Sequence, residues 1–153
     1  MAEYILTRSL TLDVPRDQAF AFFADAGNLE QITPPELGFH IITSQPIDIQ
    51  RGTLIDYRLN MRGIPIKWRT EISVWEPPFR FVDQQLRGPY SQWIHTHTFT
   101  ELGSGATRID DEVRYRLPLE PLGDLAHFFV RKELEYIFDY RQEVVSETLR
   151  NKP

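Results

Sequence analysis

The sequence predicts an α+β domain in which a curved antiparallel sheet wraps around one long C-terminal helix. Residues 38–117 alternate between polar and apolar side chains, which is the period-two pattern of β-strands. Short breaks rich in glycine and proline separate these segments, which favours hairpins between antiparallel neighbours. Residues 121–150 repeat apolar side chains near 3.6-residue spacing, which indicates a helix. We therefore expect one domain covering residues 1–153.

The N-terminal part is predicted to form a strand followed by two short helices. Alternation over residues 3–13 is typical of a half-buried strand. Pro15 suits the first turn of a helix, because that turn needs no backbone N–H from it. Gly27 interrupts this helix, and a second short helix ends at Pro34. These two helices precede the main run of strands.

The remaining elements follow from periodicity and turn residues. A C-terminal helix over 121–150 would be about 40 Å long, with Leu122 and Phe129 on its apolar face. Its charged residues, Arg141 among them, are expected to face solvent. Six strands are predicted between the short helices and this long one, near residues 39–45, 53–61, 64–75, 79–86, 90–101 and 106–117.

Hairpin registers predict a polar row on the inner face of the sheet. A turn centred on Pro89 places His95 opposite Asp83, and a turn centred on Gly103 places His95 opposite Asp111. Directly opposed side chains lie about 4.5–5.5 Å apart. We therefore expect a row Asp83–His95–Asp111, which could hold a ligand or move a proton.

The alternation of inward and outward side chains along the strands also predicts the wall of an inner cavity. A loop at 76–79 would pair Thr70 with Gln85 beside the polar row. In strand 90–101 the largest apolar side chains and both histidines occupy alternate positions on one face of the strand. We therefore expect that face to point inward. The predicted ligand-binding residues are Tyr57, Trp68, Thr70, Phe81, Gln85, Trp93, His97, Phe99, Tyr115 and Phe129.

Composition excludes several classes of function. The chain has no cysteine, which excludes disulfides, thiolate catalysis and cysteine-ligated metals. Its net charge is −5 with no basic cluster, so nucleic acid is not an expected partner. The apolar stretch 19–24 is too short for a membrane span. Glu3 and Arg8 interrupt the region where a secretion signal would be apolar, so we expect a cytoplasmic protein.

His95 and His97 have the spacing of metal ligands on a strand, because both side chains project from one face. Asp83 or Asp111 could complete such a site. The other two histidines, at 40 and 127, are not placed to join them. We therefore expect no metal and no cofactor, with the histidines satisfying carboxylates instead.

The element order resembles the helix-grip fold of the SRPBCC superfamily. That superfamily contains START lipid-transfer domains, the birch pollen allergen and small polyketide cyclase/dehydratase-like proteins. The runs Gly63–Pro78, Arg80–Asp83, Arg87–Tyr90 and His95–Phe99 look like its bacterial ligand-binding branch. The glycine-rich loop of the pollen-allergen branch is missing, since only Arg51-Gly52 occupies that turn. Residue roles from that branch are therefore not carried over.

Three functions are compatible with this resemblance. The leading hypothesis is that the chain binds a small, mainly hydrophobic molecule such as a lipid between the sheet and the C-terminal helix. The second is a cofactor-independent cyclase/dehydratase-type enzyme, with His95 as proton shuttle and Asp83 or Asp111 orienting it. The third is an interaction module whose aromatic interior is plain core. We favour binding over catalysis, because no activated nucleophile is visible. The oligomeric state is unknown at this stage.

Overall fold

The computed structural model describes residues 2–119 and 123–150. Seven antiparallel strands form one open sheet in the order β1-β7-β6-β5-β4-β3-β2. This architecture, closed by a long C-terminal helix, confirms the predicted helix-grip α+β fold. The strands are β1 Tyr4–Leu12, β2 His40–Ile41, β3 Leu54–Met61, β4 Ile64–Glu76, β5 Arg80–Arg87, β6 Gln92–Glu101 and β7 Thr107–Arg116; the helices are α1 Arg16–Ala24, α2 Asn28–Gln31 and α3 His127–Arg150.

Two of the three predicted registers are confirmed. Thr70 lies opposite Gln85 across β4 and β5, and Asp83 lies opposite His95 across β5 and β6. The loop around Pro89 sets the β5–β6 register. The loop between β4 and β5 is residues 77–79, one residue shorter than predicted, and a β-bulge between Ile72 and Val74 shifts the register by one and brings Thr70 opposite Gln85.

The predicted β6–β7 register is wrong by two residues. The loop runs from 102 to 106 and is centred on Ser104, because Gly105 adopts a positive φ and donates its N–H to the carbonyl of residue 102. His97, not His95, therefore lies opposite Asp111. A slip of two keeps every side chain on its predicted face.

Strand β2 is much shorter than the predicted strand at 39–45. It contains His40 and Ile41 alone. The backbone N–H groups of the next two residues, Ile42 and Thr43, both donate to the carbonyl of Asp56. Two donors converging on one acceptor break the regular ladder, so the chain leaves the sheet there.

Helix α3 buries a stripe that differs from the predicted one. The expected start near residue 121 and Leu122 lie outside the described residues, and a 3₁₀ turn at Gly123–Ala126 precedes the helix. Phe129 was wrongly placed inward, since it is 58% exposed. It lies about 140° around the helix from Leu134, on the opposite side. The buried stripe is Leu134, Phe138, Arg141, Val145 and Leu149.

The space between sheet and helices has two parts. We call the "packed half" the region where α1 inserts Phe20 and Phe23 against Phe99, together with the last turns of α3. We call the "open half" the region around Trp68 and Trp93, which the middle of α3 covers. Within the residues that the structure describes, no helix has the length and hydropathy to cross a bilayer.

Candidate functional site

A pocket of about 180 Å³ lies between the sheet and α3 in the open half, and it extends to Phe23 and Phe81 at the border of the packed half. One water needs only about 10–15 Å³ in the same measure, so the space suits a larger molecule. Strands β3 to β6 form one wall, and α3 with the chain around α2 forms the other. The aromatic residues that line it are Phe23, Phe39, Tyr57, Trp68, Phe81, Tyr90, Trp93 and Phe138.

Five polar side chains meet at one end of this pocket, and we call them the polar cluster: Asp83, His95, His97, Asp111 and Arg141. Three neighbouring strands and helix α3 supply them. Both histidines, Asp111 and Arg141 are buried, whereas the side chain of Asp83 is 18% exposed. Asp83 and the histidines line the pocket together with Arg141, and Asp111 lies behind the histidines.

The cluster is joined by short hydrogen bonds. His95 Nε2 lies 2.8 Å from Asp111 Oδ1, and His97 Nε2 lies 2.6 Å from Asp83 Oδ2. Arg141 Nη2 donates to Asp111 Oδ1 at 3.3 Å and lies 3.2 Å from His97 Nδ1. The two imidazole rings stack with their centroids 3.7 Å apart. Every member therefore depends on at least one other for its position.

Burial and charge divide the protons unequally between the two histidines. Burial, reinforced by the charge of His97, lowers the pKa of His95 to about 4. Burial also opposes protonation of His97, but its hydrogen bonds to Asp111 and Asp83 outweigh this and raise its pKa. Of the two histidines, His97 is therefore the one that binds a proton more readily.

The two carboxylates stay ionised. Burial acts to raise the pKa of Asp111, but the Arg141 charge and the hydrogen bonds of the histidines hold it well below its usual range. The pKa of Asp83 is likewise lowered against the effect of burial, mainly by His95 and His97. The cluster therefore combines two ionised carboxylates with the guanidinium of Arg141.

Two polar atoms of the pocket wall are buried without a partner. Trp68 Nε1 has no hydrogen-bond partner among residues 2–119 and 123–150, and Thr70 Oγ1 has none of acceptable geometry there, although its side chain lies close to the Tyr57 hydroxyl. Their residues are 7% and 4% exposed, and both line the pocket from β4. An unsatisfied buried polar group costs about 1–3 kcal/mol. A bound molecule with a hydrogen-bonding group would remove that cost.

The pocket brings together most of the predicted site residues. Those that line it are Tyr57, Trp68, Thr70, Phe81, Asp83, Trp93, His95 and His97. Desolvation and the charge of Asp83 raise the pKa of the Tyr57 hydroxyl, so this hydroxyl is neutral beside the carboxylate.

Four predicted ligand-binding residues have other contacts instead. The Gln85 amide bonds the backbone of Tyr90, donating to its carbonyl at 2.7 Å and accepting from its N–H at 3.2 Å. Phe99 packs in the packed half, where α1 covers it. The Tyr115 hydroxyl lies 3.0 Å from His127 Nε2. Phe129 faces away from the sheet, as described above.

Sequence reasoning missed the role of Arg141 in the cluster. Its spacing of three residues from Phe138 and four from Val145 places it on the buried stripe of α3, which was the available signal. The pocket wall from Phe39 and Ile49 was also missed. Those two lie in irregular chain, where no periodicity marks an inward side chain.

Fold and pocket together define a sheet-and-helix domain with a partly polar interior, and comparison with known proteins agrees. The chain belongs to the family described as polyketide cyclase / dehydrase and lipid transport, which matches over residues 12–137. A search of curated proteins finds no significant match.

Solved structures support the fold over almost the whole chain. The Zhui aromatase/cyclase from Streptomyces sp. R1128 has a TM-score of 0.77 at 14% identity, covering 96% of this chain and 93% of that one. Truncated norcoclaurine synthase from Thalictrum flavum has a TM-score of 0.73 at 12% identity, covering 99% and 96%. A START superfamily protein from Mycobacterium smegmatis has a TM-score of 0.67 at 12% identity, covering 94% and 98%. At these identities the likeness shows the fold.

Proposed function

We propose that the protein binds a small, mainly hydrophobic molecule in the pocket between the sheet and α3. The observation that carries this proposal is the unpartnered Trp68 Nε1, a buried donor in an otherwise aromatic wall. Because a folded interior rarely leaves such a donor unpaired, its natural complement is an oxygen of a bound molecule. Thr70 Oγ1 offers a second polar contact on the same strand.

The wall also defines the chemical class of the ligand. Trp68, Trp93 and Phe138 present ring faces and edges that suit a flat, apolar body. The donor on Trp68 calls for a carbonyl or hydroxyl oxygen on that body. At the other end, Asp83, His95 and His97 offer hydrogen-bonding groups to a polar group of the ligand.

Two measurements test this function. Native mass spectrometry of protein freshly purified from its own source should show a retained small molecule as added mass. A thermal-shift screen of fatty acids, isoprenoids, sterols and aromatic polyketides should find a stabiliser, because a ligand at about 100 times its Kd adds about 2.7 kcal/mol to the folded state. No added mass and uniformly flat shifts would instead support the interaction-module hypothesis.

A second candidate function is proton transfer of the cyclase/dehydratase type, without a cofactor. It is favoured by the contact between His95 Nε2 and Asp111, which orients a neutral imidazole and leaves Nδ1 unprotonated. This nitrogen lies 3.8 Å from Asp83 Oδ2, beyond hydrogen-bond distance. Under this candidate, a poly-β-ketone substrate would be converted by the wild type and not by a folded His95→Gln variant. Equal conversion by both would exclude it.

A further inference from the structure

We propose that Asp83, His95 and His97 form a binding site for a divalent transition-metal ion at the polar end of the pocket. One donor atom from each residue lies within 4.8 Å of the other two. Two imidazoles and one carboxylate are a donor set that zinc and its first-row neighbours prefer. The sequence left Asp83 and Asp111 open as the third ligand, and the confirmed β5–β6 register places Asp83 opposite His95.

The positions of the donors require only a small adjustment. Asp83 Oδ2 lies 2.6 Å from His97 Nε2 and 3.8 Å from His95 Nδ1. Ligands of a tetrahedral zinc ion, at the usual bond lengths, are about 3.3 Å apart. A shift of the Asp83 carboxylate by well under 1 Å would therefore equalise these two separations, while the two imidazole nitrogens lie within 4.8 Å of each other.

The second ring nitrogens provide independent support. Metal-binding histidines usually donate their other N–H to a carboxylate, which fixes tautomer and ring orientation. Asp111 Oδ1 lies 2.8 Å from His95 Nε2 and so holds that ring, and it lies 3.4 Å from His97 Nδ1, which Arg141 Nη2 approaches at 3.2 Å. Arg141 in turn holds Asp111 at 3.3 Å.

The charge of the cluster is also that of a cation site. Asp83 and Asp111 place two carboxyl groups around the histidines, against one guanidinium from Arg141. A divalent ion carrying one hydroxide or anionic ligand oxygen would bring one positive charge to this group. Three protein donors leave a fourth position for that oxygen, as in open zinc sites.

This inference deepens the proposed function and rests on it in one respect: the fourth position would take the polar group of the pocket ligand. Metal binding itself needs no organic ligand. The metal and the proton-shuttle role of His95 exclude each other, because both use the lone pair on Nδ1.

The test is titration of the full, untagged chain with Co²⁺ after chelator treatment, with no organic ligand added. We expect one equivalent to bind, with the visible absorption of a four- or five-coordinate ion, and Zn²⁺ to displace it. Asp83→Asn, which is isosteric at a partly exposed position, should weaken Co²⁺ binding at least tenfold. His97→Gln should do the same. The control is His40→Gln, which should leave Co²⁺ binding unchanged. The side chain of His40 is exposed, and its Nδ1 lies 3.8 Å from Glu30 Oε1.

Several results would overturn the metal site. They are the absence of a saturable Co²⁺ signal in the wild type, wild-type affinity in folded Asp83→Asn, or loss of binding in His40→Gln. Near-UV circular dichroism establishes that each variant is folded. A retained small molecule in native mass spectrometry without Co²⁺ binding would reject the metal and keep the proposed function. Co²⁺ binding without any small molecule bound in the pocket would support the metal site and reject the proposed function.

Discussion

The packed half and the open half share one face of one sheet and differ in what covers it. In the packed half, α1 inserts Phe20 and Phe23, whose ring centroids lie 5.1 and 5.6 Å from that of Phe99. In the open half, α3 and the irregular chain around α2 cover Trp68 and Trp93 without filling the space, and a pocket remains. A second covering helix therefore makes the difference between core and cavity, although both halves are rich in aromatic residues.

The polar cluster lies where the two halves meet. His97 stacks on Phe81 of the packed half, with ring centroids 4.0 Å apart. His95 meets Phe138 of the open half edge-on at 5.4 Å. Substitutions in the packed half should therefore change stability, those in the open half should change ligand affinity, and those in the cluster should change both.

The largest effect is expected in the packed half. Phe99→Ala removes a ring that is 2% exposed, so the free energy of unfolding should fall by about 3–5 kcal/mol. Urea denaturation measures it. A loss below about 1 kcal/mol would show that this half is not tightly packed.

Arg141→Met should have the next largest effect. It leaves Asp111 buried without its guanidinium partner, and breaking a buried ion pair costs about 3 kcal/mol or more. The control is Arg131→Met on the same helix. Arg131 is half-buried and donates to the backbone carbonyl of Ile5. Chemical denaturation should be measured for both variants. Equal, small losses in both variants would mean that Arg141 faces solvent, as its charge alone predicted.

Trp68→Phe should separate ligand affinity from stability. It removes a buried donor that has no protein partner, which stabilises the fold, and part of a buried ring, which destabilises it. Because the two effects oppose each other, the free energy of unfolding should change by less than about 1 kcal/mol. Affinity for a compound found by the thermal-shift screen should fall about fivefold, the worth of one neutral hydrogen bond. Trp75→Phe in the packed half is the matched control and should leave affinity unchanged. The reverse order of the two affinities would contradict the assignment of the halves.

The smallest effect is expected at Phe129. Since this side chain is exposed on the far side of α3, Phe129→Ala should change the free energy of unfolding by less than about 0.5 kcal/mol. Ligand affinity should not change either. A clear loss of affinity in isothermal titration would restore Phe129 to the pocket wall, as helical spacing first suggested.

The fold could be predicted because strand alternation and turn lengths depend on residues that are close together in the sequence. Strand parity survives a register slip of two, which is why His95 and His97 were placed inward although the turn at Gly105 was misjudged. Turn lengths also sufficed to place Asp83 opposite His95.

The rest of the site depends on long-range packing. Arg141 has the helical spacing of the buried stripe, but a charged side chain is expected at the surface, so it was predicted to face solvent. Phe129 is apolar and was therefore predicted to face the sheet, although it is exposed. Pocket residues in irregular chain, such as Phe39, carry no periodic signal at all. Helix α1 covers Phe99. The alternation of side chains along a strand does not show which helix will pack on it.

The three tryptophans allow the most direct test of ligand binding in the open half. Trp68 and Trp93 line the pocket, whereas Trp75 packs against Phe20 and Phe81. In ¹⁵N-resolved NMR of the indole N–H groups, titration with the compound found by the screen should move the Trp68 signal most. The Trp93 signal should move less, and that of Trp75 should stay in place. A saturable shift confined to Trp75, or binding that leaves all three signals unmoved, would contradict a ligand site between the sheet and α3.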